Sequence, residues 1–250
     1  LIALFLRDCM DLRTAIRTVH SDPLWWRKIL IVGALIMSIV GAPFAGGWII
    51  EYIDNSRKGY STPLPPWFDW STRWIMGMFA WIIDFLFYVM PLMIAGVLFF
   101  CVAFSAVLSN SPGLAGQLFA VLGAILALYL TFVFLSSVSM VGRLIYVQDA
   151  SPEHAMSMRS LREALRPGAR AVYFKARLTS LPAYLPAVAL GGLTFLVANL
   201  TIPGILAIVP LLIWLTLSAL IYAHLIVVQI YVAAERELER RGLARARELV

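Results

Sequence analysis

Asp84, Arg143, His224 and Gln229 are the side chains whose chemistry stands out, because each interrupts or ends a long run of apolar residues. An unpaired charge in hydrocarbon costs a few kcal/mol or more, so such residues face protein or water and mark candidate sites. Asp84 has two readings: a proton or cation relay, or an acid near the interface paired with an arginine. Arg143 lies four residues before Val147, close enough for its stem to snorkel to the headgroups. His224 is the one histidine within a span, which excludes a bis-histidine haem in this chain. It leaves a single axial contact to a haem or chlorophyll-type pigment, or an interhelical hydrogen bond, and Gln229 reads as another such bond. Ser136, Ser137 and Ser139 have no histidine or lysine near them in sequence to activate a nucleophile. Cys9 and Cys101 occupy different environments with no second ligand set, so neither a disulfide nor a metal centre is expected. With no paired acid and base, the chain is not expected to be an enzyme.

The elements that must position these residues are set by solvent. Of 250 residues, 61% are hydrophobic and 14% charged, against about 25% charged in ordinary soluble domains. The charges fall in a few blocks, and Leu178 to Ala234 contains none apart from His224. Since about 20 apolar residues cross the hydrocarbon core, the sequence predicts an all-α integral membrane bundle: four transmembrane helices, a broken or re-entrant helical segment, and amphipathic interfacial helices. Three regions follow: an amphipathic N-terminal segment over 1–28, a membrane domain over 29–234, and a charged C-terminal helix over 235–250. The net charge of +6 sits at the ends of apolar runs, where basic residues set topology and bind lipid. No recognition module accompanies it, so nucleic acid is not an expected partner.

Along the chain, Leu4, Leu12, Ala15, Ile16 and Val19 share an apolar stripe, with Arg7, Arg13 and Arg17 towards the headgroups. Asp22-Pro23 should end that helix. Trp25, Trp26, Arg27 and Lys28 form an interfacial belt. Ile29 to Ile53 is long enough to span, but Gly41, Pro43, Gly46 and Gly47 predict a break at its middle. Residues 54 to 73, rich in proline and tryptophan, read as an ordered interfacial loop anchored by Trp67, Trp70 and Trp74. Trp74 to Ser109, interrupted by Asp84 and Pro91, reads as an interfacial stretch followed by a span. Leu118 to Val147, Leu178 to Leu200 and Ile205 to Ala233 supply three more. Between them, Ser151-Pro152-Glu153 starts a basic surface helix with a break at Pro167-Gly168. Gly33, Gly41, Gly191 and Gly192 are expected to permit close helix contact.

Basic residues between spans mark the cytoplasmic side. Residues 1–28 hold five, 54–73 three, 148–177 six and 235–250 five, whereas 110–117 and 201–204 hold none. The two uncharged turns therefore face outward and the C-terminus inward. The N-terminal block is also inside if 29–53 enters and returns as a hairpin with arms of about 12 residues, or about 18 Å. Five full spans, with that block outside, is the alternative.

Trp26-Arg27-Lys28-Ile29-Leu30, the Gly-Tyr-Ser-Thr-Pro-Leu-Pro-Pro-Trp-Phe-Asp-Trp stretch from Gly59 to Trp70 followed by Gly77, and the run from His224 to Gln229 carry a likeness. In these the chain resembles a prokaryotic family of multi-span membrane proteins classed as a domain of unknown function, series four-zero-one-three, over most of residues 24 to 232. The resemblance implies an α-helical protein of a bacterial or archaeal cytoplasmic membrane and supplies no catalytic residues. The family's usual proline-glutamate-tryptophan appears here as Pro65-Pro66-Trp67, losing an acid.

The leading expectation is a non-catalytic accessory, assembly or scaffold subunit of a larger membrane complex, with lipids and other integral membrane subunits as partners. The alternative is a small transporter or channel-like protein using the broken segment 41–47 and Asp84; a lipid-modifying enzyme lacks the paired acid and base. Any cofactor is unknown, with His224 the candidate contact. In a background free of Cys9 and Cys101, Ser111→Cys and Thr201→Cys are expected to react with an impermeant maleimide from outside intact cells, and Lys58→Cys only after permeabilisation.

Overall fold

The computed structural model describes residues 11–38, 40–108, 113–200 and 205–242. The expectations for Leu4, Arg7 and Cys9, for most of the turn after residue 108, for the turn at 201–204 and for the end of the C-terminal helix lie outside the described residues. Among the described residues the chain is helical, without strands. The helices are α1 (Leu12–Val19), α2 (Trp25–Met37), α3 (Ala42–Lys58), α4 (Trp70–Asp84), α5 (Met90–Leu108), α6 (Gly113–Asp149), α7 (Pro152–Met156), α8 (Met158–Leu165), α9 (Ala169–Ser180), α10 (Leu185–Ala198) and α11 (Val209–Arg240). A π-helical turn, Phe85–Val89, joins α4 to α5, and short 3-10 turns, Leu181–Tyr184 and Ile205–Ile208, precede α10 and α11.

Among the described residues four helices are long and apolar enough to cross a membrane: Trp70–Leu108, Gly116–Asp149, Ala169–Ala198 and Val209–Arg240. The expected four-span bundle is therefore present, with some boundaries moved. The first span is one helix through Asp84 rather than an interfacial stretch followed by a span. Pro91 has no N–H to offer the carbonyl of Phe87 and its ring crowds that group, and the wider π turn at Phe85–Val89 lies where both effects fall. The third span begins at Ala169, immediately after Gly168, whose φ of 88° places the break at the expected Pro167-Gly168. The C-terminal helix is not separate: α11 runs unbroken through residue 235 to Arg240.

The segment 29–53 is not one continuous helix. It is two helices, α2 and α3, of 13 and 17 residues, about 20 and 26 Å long. The break lies between Met37 and Ala42, at Gly41 and ahead of the other three residues expected to cause it, and the Gly41 N–H donates to the Ser38 hydroxyl oxygen at 3.1 Å. Pro43 sits in the first turn of α3, where a missing N–H costs nothing. Gly46 and Gly47 are not loosening residues but contact points inside α3. A Cβ on Gly47 would lie 1.8 Å from the Arg73 carbonyl oxygen, and one on Gly77 1.6 Å from that of Pro43, so α3 and α4 touch backbone to backbone. Gly33 similarly admits Ser218 of α11, whereas Gly192 meets nothing and Gly191 only an ordinary contact.

The residues around Leu64 form the ordered loop the prolines imply, though it is packed rather than merely interfacial. Pro63, Leu64 and Pro65 are buried, and their carbonyls accept from Asn55, Lys28 and the Trp48 indole. Trp67 turns inward to stack near Trp48 and Phe44, while Trp70 and Trp74 stay exposed. At the N-terminus, α1 buries Ala15 and Val19 against α11 and ends at Val19, before Asp22-Pro23. Asp22 then accepts from Lys28 at 2.6 Å and from the Leu24 N–H at 2.7 Å, setting the start of α2.

The core lies along one half of α11, where every residue from Leu225 to Val232 is buried. No residue of the most apolar stretch of Trp70–Leu108 is buried, against 44% of that in Val209–Arg240, so α11 is the central helix. Gly47→Ala or Gly77→Ala forces α3 from α4 and is expected to destabilise by about 3 kcal/mol or more. Gly192→Ala should be neutral or slightly stabilising; thermal unfolding in detergent micelles separates the three.

Candidate functional site: an intramembrane polar cluster

Asp84 ends α4 at the π turn, Arg143 lies near the end of α6, and His224 is on α11. Packing of α6 between the other two brings them together. Arg143 donates from Nε to Asp84 Oδ1 at 2.9 Å and from Nη2 to Oδ2, the two-pronged geometry that a guanidinium and a carboxylate share. Ser139, one turn earlier on α6, donates its hydroxyl to the same Oδ1. Arg143 Nη1 donates to His224 Nε2 at 2.7 Å. A guanidinium has no lone pair to offer, so Nε2 is the acceptor and the imidazole proton belongs on Nδ1.

Three of the four sequence candidates therefore form one site. Asp84 is paired with an arginine, as its second reading has it. Arg143 does not snorkel: it is 6% exposed and turned into the bundle. The bonded acid supplies the reason, since two charge-assisted bonds within protein outweigh a reach to the headgroups. His224 makes an interhelical hydrogen bond through Nε2, one of the two ring nitrogens through which an imidazole can bind a metal. Gln229 stands apart, donating to the Tyr52 hydroxyl at 2.7 Å and to Ser56 at 2.6 Å, which ties α11 to α3. Ser137 accepts from Tyr231 at 2.8 Å. Ser139 is engaged with Asp84 and His224 with Arg143, so hydroxyl and imidazole are not bonded to each other.

The cluster forms one wall of a half-open cavity of about 780 Å³ between α6 and the α9 to α11 region. Tyr88, Tyr129, Phe132 and Tyr184 line it, with Leu178, Leu181, Leu185 and Val188 continuing as an apolar side. Sequence reasoning missed its second cation. Arg177 belongs by sequence to the basic block 148–177, yet it is 3% exposed and lines this cavity. Its position directly before the charge-free stretch beginning at Leu178 was the available signal, because a helix continuing into that stretch carries the preceding residue with it. Away from the spans, Asp54 accepts from Lys58 at 2.6 Å and holds its ammonium above the ordinary lysine range. Arg57 pairs with Glu235 at 3.1 Å, joining α3 to α11 at their charged ends. Among the described residues no group of three or more metal-ligating side chains gathers.

Comparison with known proteins gives a family match. A family model described as protein of unknown function (DUF4013) matches residues 30–196, two thirds of the chain, which includes Asp84, Arg143 and Arg177 but stops before His224 and Gln229. No curated protein and no solved structure matches.

Asp84→Ala leaves Arg143 buried without its acid and is expected to destabilise by about 3 kcal/mol. Asp84→Ala combined with Arg143→Leu should recover a good part of that loss. Unfolding by SDS in mixed micelles measures both, and a double variant as unstable as the sum of the singles would contradict the pairing.

Proposed function

Because the chain belongs to the DUF4013 family of proteins of unknown function, whose description assigns no activity, we propose that it is a non-catalytic integral membrane subunit that packs against other membrane proteins. Its place is the cytoplasmic membrane of a bacterium or archaeon, with the C-terminus and the basic helices α7 to α9 in the cytoplasm. The observation that carries this reading is the division of the bundle. The half around Leu225 to Val232 is packed from all sides, whereas α5 and the first part of α6 touch mainly each other. On that hairpin Phe100 and Phe104 stack at 5.6 Å while 66% and 52% exposed, a rigid aromatic pair of the kind that anchors helix contacts. The basic residues at the opposite ends of the spans support the orientation. In this topology α2 and α3 form a re-entrant hairpin turning between Met37 and Ala42, with arms of about 20 and 26 Å against a hydrocarbon core of about 30 Å.

The transport reading joins Asp84 to the segment 41–47, and two observations count against that joining. The lining of the cavity that holds Asp84 contains none of residues 41–47, and the acid is bonded to Arg143 and Ser139.

Native mass measurement after extraction in mild detergent tests the proposal. A stoichiometric integral membrane partner is expected, reduced about tenfold by Phe100→Ala with Phe104→Ala at unchanged melting temperature. A protein that runs alone, carrying only lipid, refutes it.

A further inference from the structure

We propose that the cavity between α6 and the α9 to α11 region holds an anionic phospholipid, its phosphate on Arg177 and one acyl chain along α10. Arg177 is the observation from which this starts. Its guanidinium is buried, its Nε has no hydrogen-bond partner, and no carboxylate pairs with it among the described residues. The contacts it does have are weak ones for a charge: Nη1 to the Tyr184 hydroxyl at 3.4 Å, and the faces of Phe132 and Tyr184 at 5.6 and 5.3 Å. A buried cation without an acid is costly in any apolar setting, and a bound anion removes the cost.

The acid nearest in the same cavity cannot serve. Asp84 is committed to both prongs of Arg143 and to Ser139. The cavity therefore contains one carboxylate and two guanidinium groups, a surplus of one positive charge facing its interior. Tyr88 and Tyr129 add hydroxyls to the lining, suited to the oxygens of a headgroup.

The remainder of the lining is apolar and leads outward. Leu181 and Leu185 follow Arg177 along the same helical run, and Leu185 and Val188 are 65% and 68% exposed on the face where a chain would leave the cavity. Charge at one end with an open apolar lane beginning beside it matches a molecule with an anionic head and a hydrocarbon tail. The volume of about 780 Å³ exceeds what a phosphate alone would fill and accommodates a headgroup with the upper part of a chain.

The test uses the full chain, delipidated in detergent, with native mass spectrometry counting adducts of phosphatidylglycerol, phosphatidylcholine or inorganic phosphate. One phosphatidylglycerol per chain is expected to bind at least tenfold more tightly than phosphatidylcholine, and excess inorganic phosphate should not displace it. Arg177→Gln should weaken it about tenfold, and Leu185→Trp, at an exposed position, should weaken it by obstructing the lane even if Arg177→Gln fails to fold. Asp84→Asn should tighten it, because Arg143 then faces the cavity without its acid. Equal binding of the two lipids, displacement by phosphate, or indifference to both Arg177→Gln and Leu185→Trp overturns the proposal. Because the readout is lipid stoichiometry, a failure here leaves the search for a protein partner unaffected.

Discussion

The bond between Asp84 and Arg143 is the constraint around which the membrane domain is arranged. A carboxylate at the end of α4 needs a cation within reach, and a guanidinium at that depth needs an acid, so α4 and α6 are fixed in register at this point. His224 extends the constraint to α11 by accepting from the same guanidinium. Ser139 occupies a remaining lone pair of the acid. The result is a polar knot among three helices whose surroundings are almost wholly hydrocarbon-like.

Packing around this knot is uneven. On one side α3 and α4 meet through Gly47 and Gly77 with no room for a methyl group, and α11 is enclosed from Leu225 to Val232. Helices in lipid gain little from hiding apolar surface, so such contact rests on close backbone approach and on bonds such as Gln229 to Tyr52. On the other side α5 and α6 form a hairpin whose outer surfaces are exposed. The cavity with Arg177 lies between these two regimes, where close packing gives way to open helix faces.

How far the sequence reaches follows from the kinds of signal it contains. Four spans were legible because apolar length depends only on composition, and the intramembrane charges were legible because they interrupt it. That Asp84, Arg143 and His224 would meet was not, since residues 59 and 81 positions apart share no local pattern. The role of Gly47 is not legible in the sequence for a related reason. A glycine beside a proline suggests a broken helix, but the same residue serves a continuous helix that touches a neighbour, and only the neighbour decides. Arg177 was hidden by grouping it with a basic block, whereas α9 carries it past the surface.

The π turn at Phe85–Val89 has a consequence for how this helix tolerates change. Such a turn contains one residue more than its α equivalent, and each residue advances a helix by about 100°. Everything from Met90 to Leu108 is thus rotated by that angle relative to Trp70–Asp84. Winding the same residues as a regular α-helix would swing the Phe100 and Phe104 face round the axis, whereas a single-residue deletion that also removes the π turn would leave that face where it is. The wider winding of these five positions is what keeps the two halves of the span in phase.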